Sequence, residues 1–507
     1  MINTFQSEVL PQNCSLIGYS WLLEHFCISL PLRVLSCISS KRLKVQTIKK
    51  GSWIVYDAQL MFEEDSFSHL EFALKHETID LLLLKSIFSL WDKKDFQIRI
   101  NENRKKTLRK KAWFLYEFLL GSTLELEDLP SGKYDNLLDT KKFIVRNDAI
   151  KSKRHKINNN LLGTSKFCPI ILQTGVLKSY MSKNLKTNVS EVIEKAPSSI
   201  IKRAASFLLL ADSKASFEIE GERPAKDRVE SWGKIISQAG KHVLSIDEIQ
   251  RLHTILLQDS RFTQIGLRKE GVFLGERDRD NNPLPEFIGA KEEDLVELMQ
   301  DWLDLNDFLS EDTLDPILHA VIIAFSFVYI HPLEDGNGRI HRYILHHVLA
   351  QRGFYPKGMI FPLSNVILEE IEKYKDILVS HTFPLMQAIH WEATNQGNVQ
   401  VLNKTRDLYT YFNCTKSCEF IYHCVEKTIE ETLPQELEYL ESFDKSYAQI
   451  NEVIEMPDTK IKTLITFILQ NNNKLSKNKR EKFFARLEDQ ELQEIQNIIE
   501  ENFCRDY

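Results

Sequence analysis

Within the twelve residues His331-Pro-Leu-Glu-Asp-Gly-Asn-Gly-Arg-Ile-His-Arg342, His331, Asp335, two glycines and two arginines stand at spacings that can do phosphate chemistry. An apolar run ends at Ile330 and Pro332 cannot continue a helix, which leaves His331 at the start of a loop. Gly336 and Gly338 present no Cβ to hinder converging backbone N–H groups where the next helix begins. Amides gathered at a helix N-terminus form an anion site suited to phosphate. Asp335 beside them is a hard oxygen ligand of the kind that links Mg²⁺ to nucleotide phosphates. Arg339 and Arg342, three apart on a helix, can reach the same anion. A histidine that titrates near neutrality can take a proton from a hydroxyl. These parts make a phosphate-transfer site, and the absence of G-x-x-x-x-G-K-[ST] excludes a P-loop enzyme.

Several elements must hold these groups. The longest apolar stretch, Ile317 to Ile330, contains His319 and Ser326 and is too short to span a bilayer, so it predicts a buried helix. A long helix is expected from about Gly338, and another over Leu295–Leu305. Gly271-Val-Phe-Leu-Gly275, a turn-rich Asp278–Pro285 and Phe287-Ile-Gly-Ala predict a short β-hairpin. Upstream, Ser216-Phe-Glu-Ile-Glu220-Gly221 places Ser216 and Glu220 on one helical face, with Gly221 able to end that helix. Lys105 to Leu120 has apolar residues at helical spacing and stops at Gly121. Arg146 to Asn160 is polar and basic and predicts a loop. The fold class expected is mainly α with one short hairpin. Its regions are 1–195, a mostly helical stretch of unassigned role, 196–390, which holds the motif, and 391–507, with charged amphipathic helices.

The 507 residues are 43% hydrophobic and 27% charged, a globular balance with material for two to four packed units. The net charge of −7 argues against a general nucleic-acid coat protein. Basic runs at Arg104–Lys111 and Lys151–Lys156 read as solvated faces of helices and loops. The N-terminus has no basic segment followed by an apolar core, so no secretory signal is expected. Eight scattered cysteines do not form a disulfide framework. Cys414, Cys418, His423 and Cys424 have metal-ligand chemistry, but aromatic and aliphatic neighbours at helical spacing favour buried helix cysteines. His341, His346 and His347 lack the i, i+4 pairing of a helical zinc site. A soluble protein in a reducing cytoplasm fits these features, with no membrane partner.

The motif resembles the signature of the Fic family, H-x-F-x-[DE]-G-N-G-R-x-x-R, and departs from it only at Leu333, where phenylalanine is usual. Stretches such as Lys111-Ala-Trp-Phe-Leu-Tyr-Glu-Phe-Leu extend the resemblance toward long bacterial members of the family. It implies a Fic-type helical core with a flap, and a protein adenylyltransferase that moves AMP from ATP, with Mg²⁺, to a hydroxyl of a protein substrate. Under that resemblance His331 is the base and Asp335 holds the metal. Gly336, Asn337 and Gly338 form the anion hole, Arg339 and Arg342 hold the β- and γ-phosphates, and Tyr374 stands near the nucleoside or in the core. The hairpin becomes a flap that registers an extended target segment by strand addition. Ser216–Gly221 resembles the family's inhibitory motif, [ST]-x-x-x-E-[GN], whose glutamate pairs with the second arginine, here Arg342, where the γ-phosphate must go. The modified residue would be a Ser, Thr or Tyr of the target, with self-modification and oligomer formation left open. Two other classes stay open at this point. One is the same scaffold with another donor or with AMP removal. The other is a regulatory binding protein with a vestigial site.

Overall fold

The computed structural model describes residues 4–62, 65–257, 261 and 263–503. Its centre is the helix Pro316–Ile330, in which every residue from Ile317 onward is buried. Asp315 caps its start by accepting from the Ile317 N–H at 2.8 Å, and Pro316 fills the first position, where no N–H is required. The helices Leu295–Ser310, Asn337–Gln351 and Thr415–Lys427 pack around it. Trp302 contributes its bulk and donates to the Ile323 carbonyl at 2.9 Å. A helix buried on all sides explains why its sequence is apolar all round and not amphipathic.

The long helix Ser198–Glu218 lies against Lys226–Ile236 and Leu363–Glu369, and the helix Leu433–Val453 packs on it from the C-terminal region. Arg203 reaches Asp444 across that last contact. One apolar core runs without interruption from Phe5 to Leu440. A second, separate cluster between Ile450 and Ile499 joins the end of Leu433–Val453 to Asp458–Leu469 and Asp489–Phe503.

The chain is mainly helical, as expected, and Thr107–Leu120 ends at Gly121 in the left-handed conformation. More strand is present than one hairpin. Cys14–Leu16, Leu35–Ser39, Trp53–Tyr56 and Thr47–Lys50 form a four-stranded sheet in that order, with Leu35–Ser39 parallel to Trp53–Tyr56. All five residues of Leu35–Ser39 are buried, so the alternation that marks a half-exposed strand is missing from its sequence. A second hairpin, Trp391–Ala393 with Val399–Val401, lies in a region expected to be helical. The basic stretch 146–160 is also not a loop throughout, since Ile150–Ser152 pairs with Ile157–Asn159. Two of its arginines are internal struts. Arg146 pairs with buried Asp312 at 3.1 Å over the Phe308 ring, and Arg154 joins Glu117 to the Leu124 and Leu126 carbonyls.

Burial holds the pKa of His319, His341 and His381 down to about 3 and that of His347 to about 4. Unfolding returns each imidazole to its ordinary value near 6.5. Between the two values the unfolded chain binds more protons, so stability rises with pH there and is lost as pH falls below about 6.5. Urea denaturation midpoints should therefore drop steadily from about pH 7 to about pH 5. Midpoints that stay flat over that interval would contradict the neutral burial of these histidines.

Candidate active site

The central helix ends at His331, whose φ of +55° is a left-handed value few non-glycine residues adopt. Its Nδ1–H donates to the Val328 carbonyl at 3.2 Å, which leaves Nε2 carrying the lone pair. The residue is 8% exposed. Burial first, then the Arg268 charge, lowers its pKa to about 4, so the imidazole is neutral at physiological pH. Leu333 is wholly buried, so it anchors the loop as the usual phenylalanine would. Asn337 clamps the same turn: it accepts from the Leu333 N–H at 3.0 Å and donates to the Leu333 carbonyl at 2.8 Å. Its side chain is thereby spent on the loop, and only its backbone N–H remains for an anion.

Gly336 opens the helix Asn337–Gln351 with a φ of +81°, and a Cβ there would lie 2.6 Å from Leu256. At Gly338 a Cβ would stand 2.1 Å from a carboxylate oxygen of Glu220. The first turn of the helix thus already holds an anion, supplied by the chain itself. Arg342 is 1% exposed and fully committed. Its Nη1 donates to Glu220 at 2.9 Å, Nε to the Ser216 hydroxyl at 3.0 Å and Nη2 to the Ser216 carbonyl at 2.5 Å. The helix carrying Ser216 ends at Glu218, two residues sooner than the spacing suggested, and Glu220 sits in the turn that follows. Gly221 completes that turn at a φ of +74°. Tyr374 is 4% exposed, lies among Phe325, His341 and Phe420, and stands behind Arg342 in the core.

Four further residues, none legible in the motif, complete the site. Glu222 reaches Arg339 at 2.6 Å with one oxygen and Arg228 at 3.1 Å with the other. Arg339 also pairs with Asp335 at 3.1 Å, and Asp335 remains 55% exposed at the mouth of the site. Arg268, buried, spans flap and loop: it donates to the His331 carbonyl at 2.9 Å, the Glu270 carbonyl at 2.7 Å and the Ala290 carbonyl. Asp212, one helical turn before Ser216, accepts from His346 at 2.9 Å and from the Ser364 N–H and hydroxyl at 2.6 and 3.0 Å. His346 is therefore an anchor for the Ser198–Glu218 helix. His341 donates to the Ala324 carbonyl at 2.8 Å and His347 accepts from the Gly240 N–H at 3.2 Å, so the three histidines serve three different partners. Cys414, Cys418 and Cys424 are buried along or beside the helix Thr415–Lys427, and His423 faces Glu370.

The hairpin is present as Phe273–Arg277 and Pro283–Ile288, with a bulge at Leu274/Gly275 and a turn organised by Asp278, which accepts from the Asp280 and Asn282 N–H groups. Its base is stitched to the site, because the Ala290 N–H donates to Ile330 at 3.0 Å. Leu274 and Leu284 are exposed along it. The second hairpin braces it through Asn398, which donates to the Gly271 carbonyl at 2.8 Å. Between them lies a polar cleft of about 490 Å³ reaching Glu334. Among the described residues, no three His, Cys, Asp or Glu side chains converge as a metal site, and no helix is long and apolar enough to cross a membrane.

The site thus joins a neutral imidazole to the N-terminus of a helix, with two buried arginines and a strand pair alongside. Residues 243–349 match the Fic/DOC family, and the chain carries a Fic domain there. It is 29% identical over 170 residues to a protein adenylyltransferase fic-1 from Caenorhabditis elegans, covering 32% of this chain and 30% of that protein. It is 32% identical over 114 residues to a protein adenylyltransferase Fic from Nematostella vectensis, covering 22% and 24%. The match thus spans less than a third of either relative's length. Among solved structures, a Fic domain containing signaling protein from Bacteroides thetaiotaomicron is similar at 18% identity and a TM-score of 0.37, over 51% of this chain and 96% of that one. Fic-1 from C. elegans is similar at 17% and 0.31, over 50% and 73%. The expected tie to a bacterial subgroup is not supported, since these sequence relatives are animal proteins.

Asp212 supplies a test of the anchor. Removing it leaves His346 and Ser364 without their buried acceptor, and breaking a buried pair in this way costs about 3 kcal/mol. Asp212→Ala should lose stability on that scale in urea denaturation. A loss under about 1 kcal/mol would show that the helix is held elsewhere.

Proposed function

We propose that this chain transfers AMP from ATP to a Ser, Thr or Tyr hydroxyl of a target protein, and that Glu220 holds it in check. The observation that carries this reading is the placement of the neutral His331, with Nε2 free, beside a helix start and two buried arginines that the chain's own carboxylates neutralise. The catalytic unit on this reading is 196–390.

In the transfer, a target segment pairs with the flap and lies along the polar cleft, which brings its hydroxyl to His331. Nε2 accepts the hydroxyl proton as the oxygen bonds to the α-phosphorus. The bond from that phosphorus to the bridging oxygen breaks, and pyrophosphate leaves with its electron pair. The backbone N–H groups of Gly336, Asn337 and Gly338 and the guanidiniums of Arg339 and Arg342 neutralise the phosphate charge, so the chemistry rests on positioning and electrostatics. Tyr374, from behind, keeps Arg342 in place. Asp335 is the exposed carboxylate at the mouth and would hold a Mg²⁺ ion brought in with the nucleotide. When bound, that ion would add charge neutralisation to the phosphates. Self-modification is expected where a hydroxyl of the chain reaches the cleft. A reducing, cytoplasmic setting suits the free cysteines.

Incubation of Glu220→Gly protein with labelled ATP and cell lysate, followed by identification of labelled proteins, tests the reading. Glu220→Gly should raise transfer at least about tenfold over the unaltered chain, equivalent to about 1.4 kcal/mol of relieved competition. Adding His331→Ala should lower it by about 10²–10⁴ while ATP binding persists. Arg342→Ala frees the site but discards a phosphate clamp, so it should not mimic the gain. No labelling by Glu220→Gly would overturn the reading. The pH profile gives a separate check. With its pKa lowered to about 4, His331 should stay competent as pH falls through 6.5, and an acid limb centred near 6.5 would contradict its burial.

A further inference from the structure

We infer that Arg228 is a further phosphate-binding residue of this site, and that Glu222 is the carboxylate that holds its place until a polyphosphate arrives. The inference rests on the reading of the site as a nucleotide site and extends it to residues outside the signature. One carboxylate bridges two guanidiniums, with Glu222 at 2.6 Å from Arg339 and 3.1 Å from Arg228. Two arginines that converge on the oxygens of one anion form a ready receptor for another. A phosphate offers oxygens at a similar separation and more charge.

Local packing fixes the arrangement. The Phe217 ring lies against both arginines, 4.9 Å from the Arg228 guanidinium carbon and 5.3 Å from that of Arg339. Stacking of this kind holds the planes in place whether or not Glu222 is there. The Nε of Arg228 and the Nε of Arg339 are buried and have no hydrogen-bond acceptor. The pair therefore has donors in hand that Glu222 does not use. Arg228 stands at the start of Lys226–Ile236, and Glu222 follows Gly221 in the turn beyond the Ser198–Glu218 helix, so its side chain can swing away while the arginines stay.

Both signature arginines are thus neutralised in the resting chain, Arg342 by Glu220 and Arg339 by Glu222. Removing Glu220 alone frees Arg342 and leaves Glu222 on Arg339. With Glu222 displaced, three arginines face the phosphates: Arg228, Arg339 and Arg342. The gain falls on ligands with a polyphosphate tail and leaves a nucleoside monophosphate almost untouched.

Calorimetric titration of ATP and of AMP into the full chain tests this. Against Glu220→Gly, the double variant Glu220→Gly/Glu222→Gln should bind ATP at least about fivefold more tightly, with AMP affinity unchanged. Adding Arg228→Met should abolish that gain, and Arg228→Lys should restore part of it. The ATP affinity of the double variant should also fall more steeply with salt than that of the triple variant. Thermal melts check that each variant is folded. If Arg228→Met leaves ATP affinity unchanged while Glu220→Gly binds ATP, the Arg228 assignment is wrong and the nucleotide reading stands. If no variant binds ATP, both fall.

Discussion

Arginine keeps its charge at any physiological pH, so a buried guanidinium must have an anion. Arg339 and Arg342 are each 1% exposed, and the arrangement around them follows from that requirement. In the resting chain the anions are Glu220, Glu222 and Asp335. The first turn of the Asn337–Gln351 helix adds its own demand, because its N–H groups point toward the same space. A triphosphate satisfies arginines and helix start together. The same groups that would make the site catalytic also make it a trap for the protein's own carboxylates.

That trap works only if the carboxylates arrive at fixed positions. Asp212 ties the Ser198–Glu218 helix to His346 and Ser364, Ser216 meets Arg342 with both its hydroxyl and its carbonyl, and the chain then turns at Gly221. Residues 212 and 216 lie one helical turn apart on one side, and Glu220 follows in the turn beyond the helix. On the other side of the site, Arg268 joins the flap to His331 by three carbonyl contacts. A strand laid on the flap would thereby be registered against His331.

The sequence displayed the parts of this site that are neighbours along the chain. His331 to Arg342 read as a phosphate-transfer loop by spacing, whereas Ser216 to Gly221 was tied to it only through the family resemblance; the fold brings Ser216 and Glu220 onto Arg342. Arg268, Asp212, Glu222 and Arg228 were silent. Each is a single charged residue; for three of them the role comes from a partner brought near by folding, over 60 positions away for Arg268 and more than 100 for Asp212 and Glu222, while Arg228 meets Glu222 at no recognisable motif spacing. The N-terminal sheet was hidden for a different reason. Leu35–Ser39 is buried on both faces and short, and a buried strand of that length has no period to detect. The basic stretch 146–160 misled by composition, since Arg146 and Arg154 spend their charge on internal carboxylates and carbonyls.

Glu220 and Glu222 lie beyond the last residue of the Ser198–Glu218 helix, in a turn whose bend depends on glycine. A carboxylate there can leave its arginine by rotating about its own side-chain bonds, with no helical hydrogen bond broken. If Glu220 and Glu222 act as proposed, the blocked and open forms would share one backbone and differ in where a few negative charges sit. Such a switch is written in electrostatic potential and leaves helix content and overall dimensions as they were. Probes of shape would find the two forms alike, whereas a reporter of the local field, such as a vibrational label near Arg342, would tell them apart.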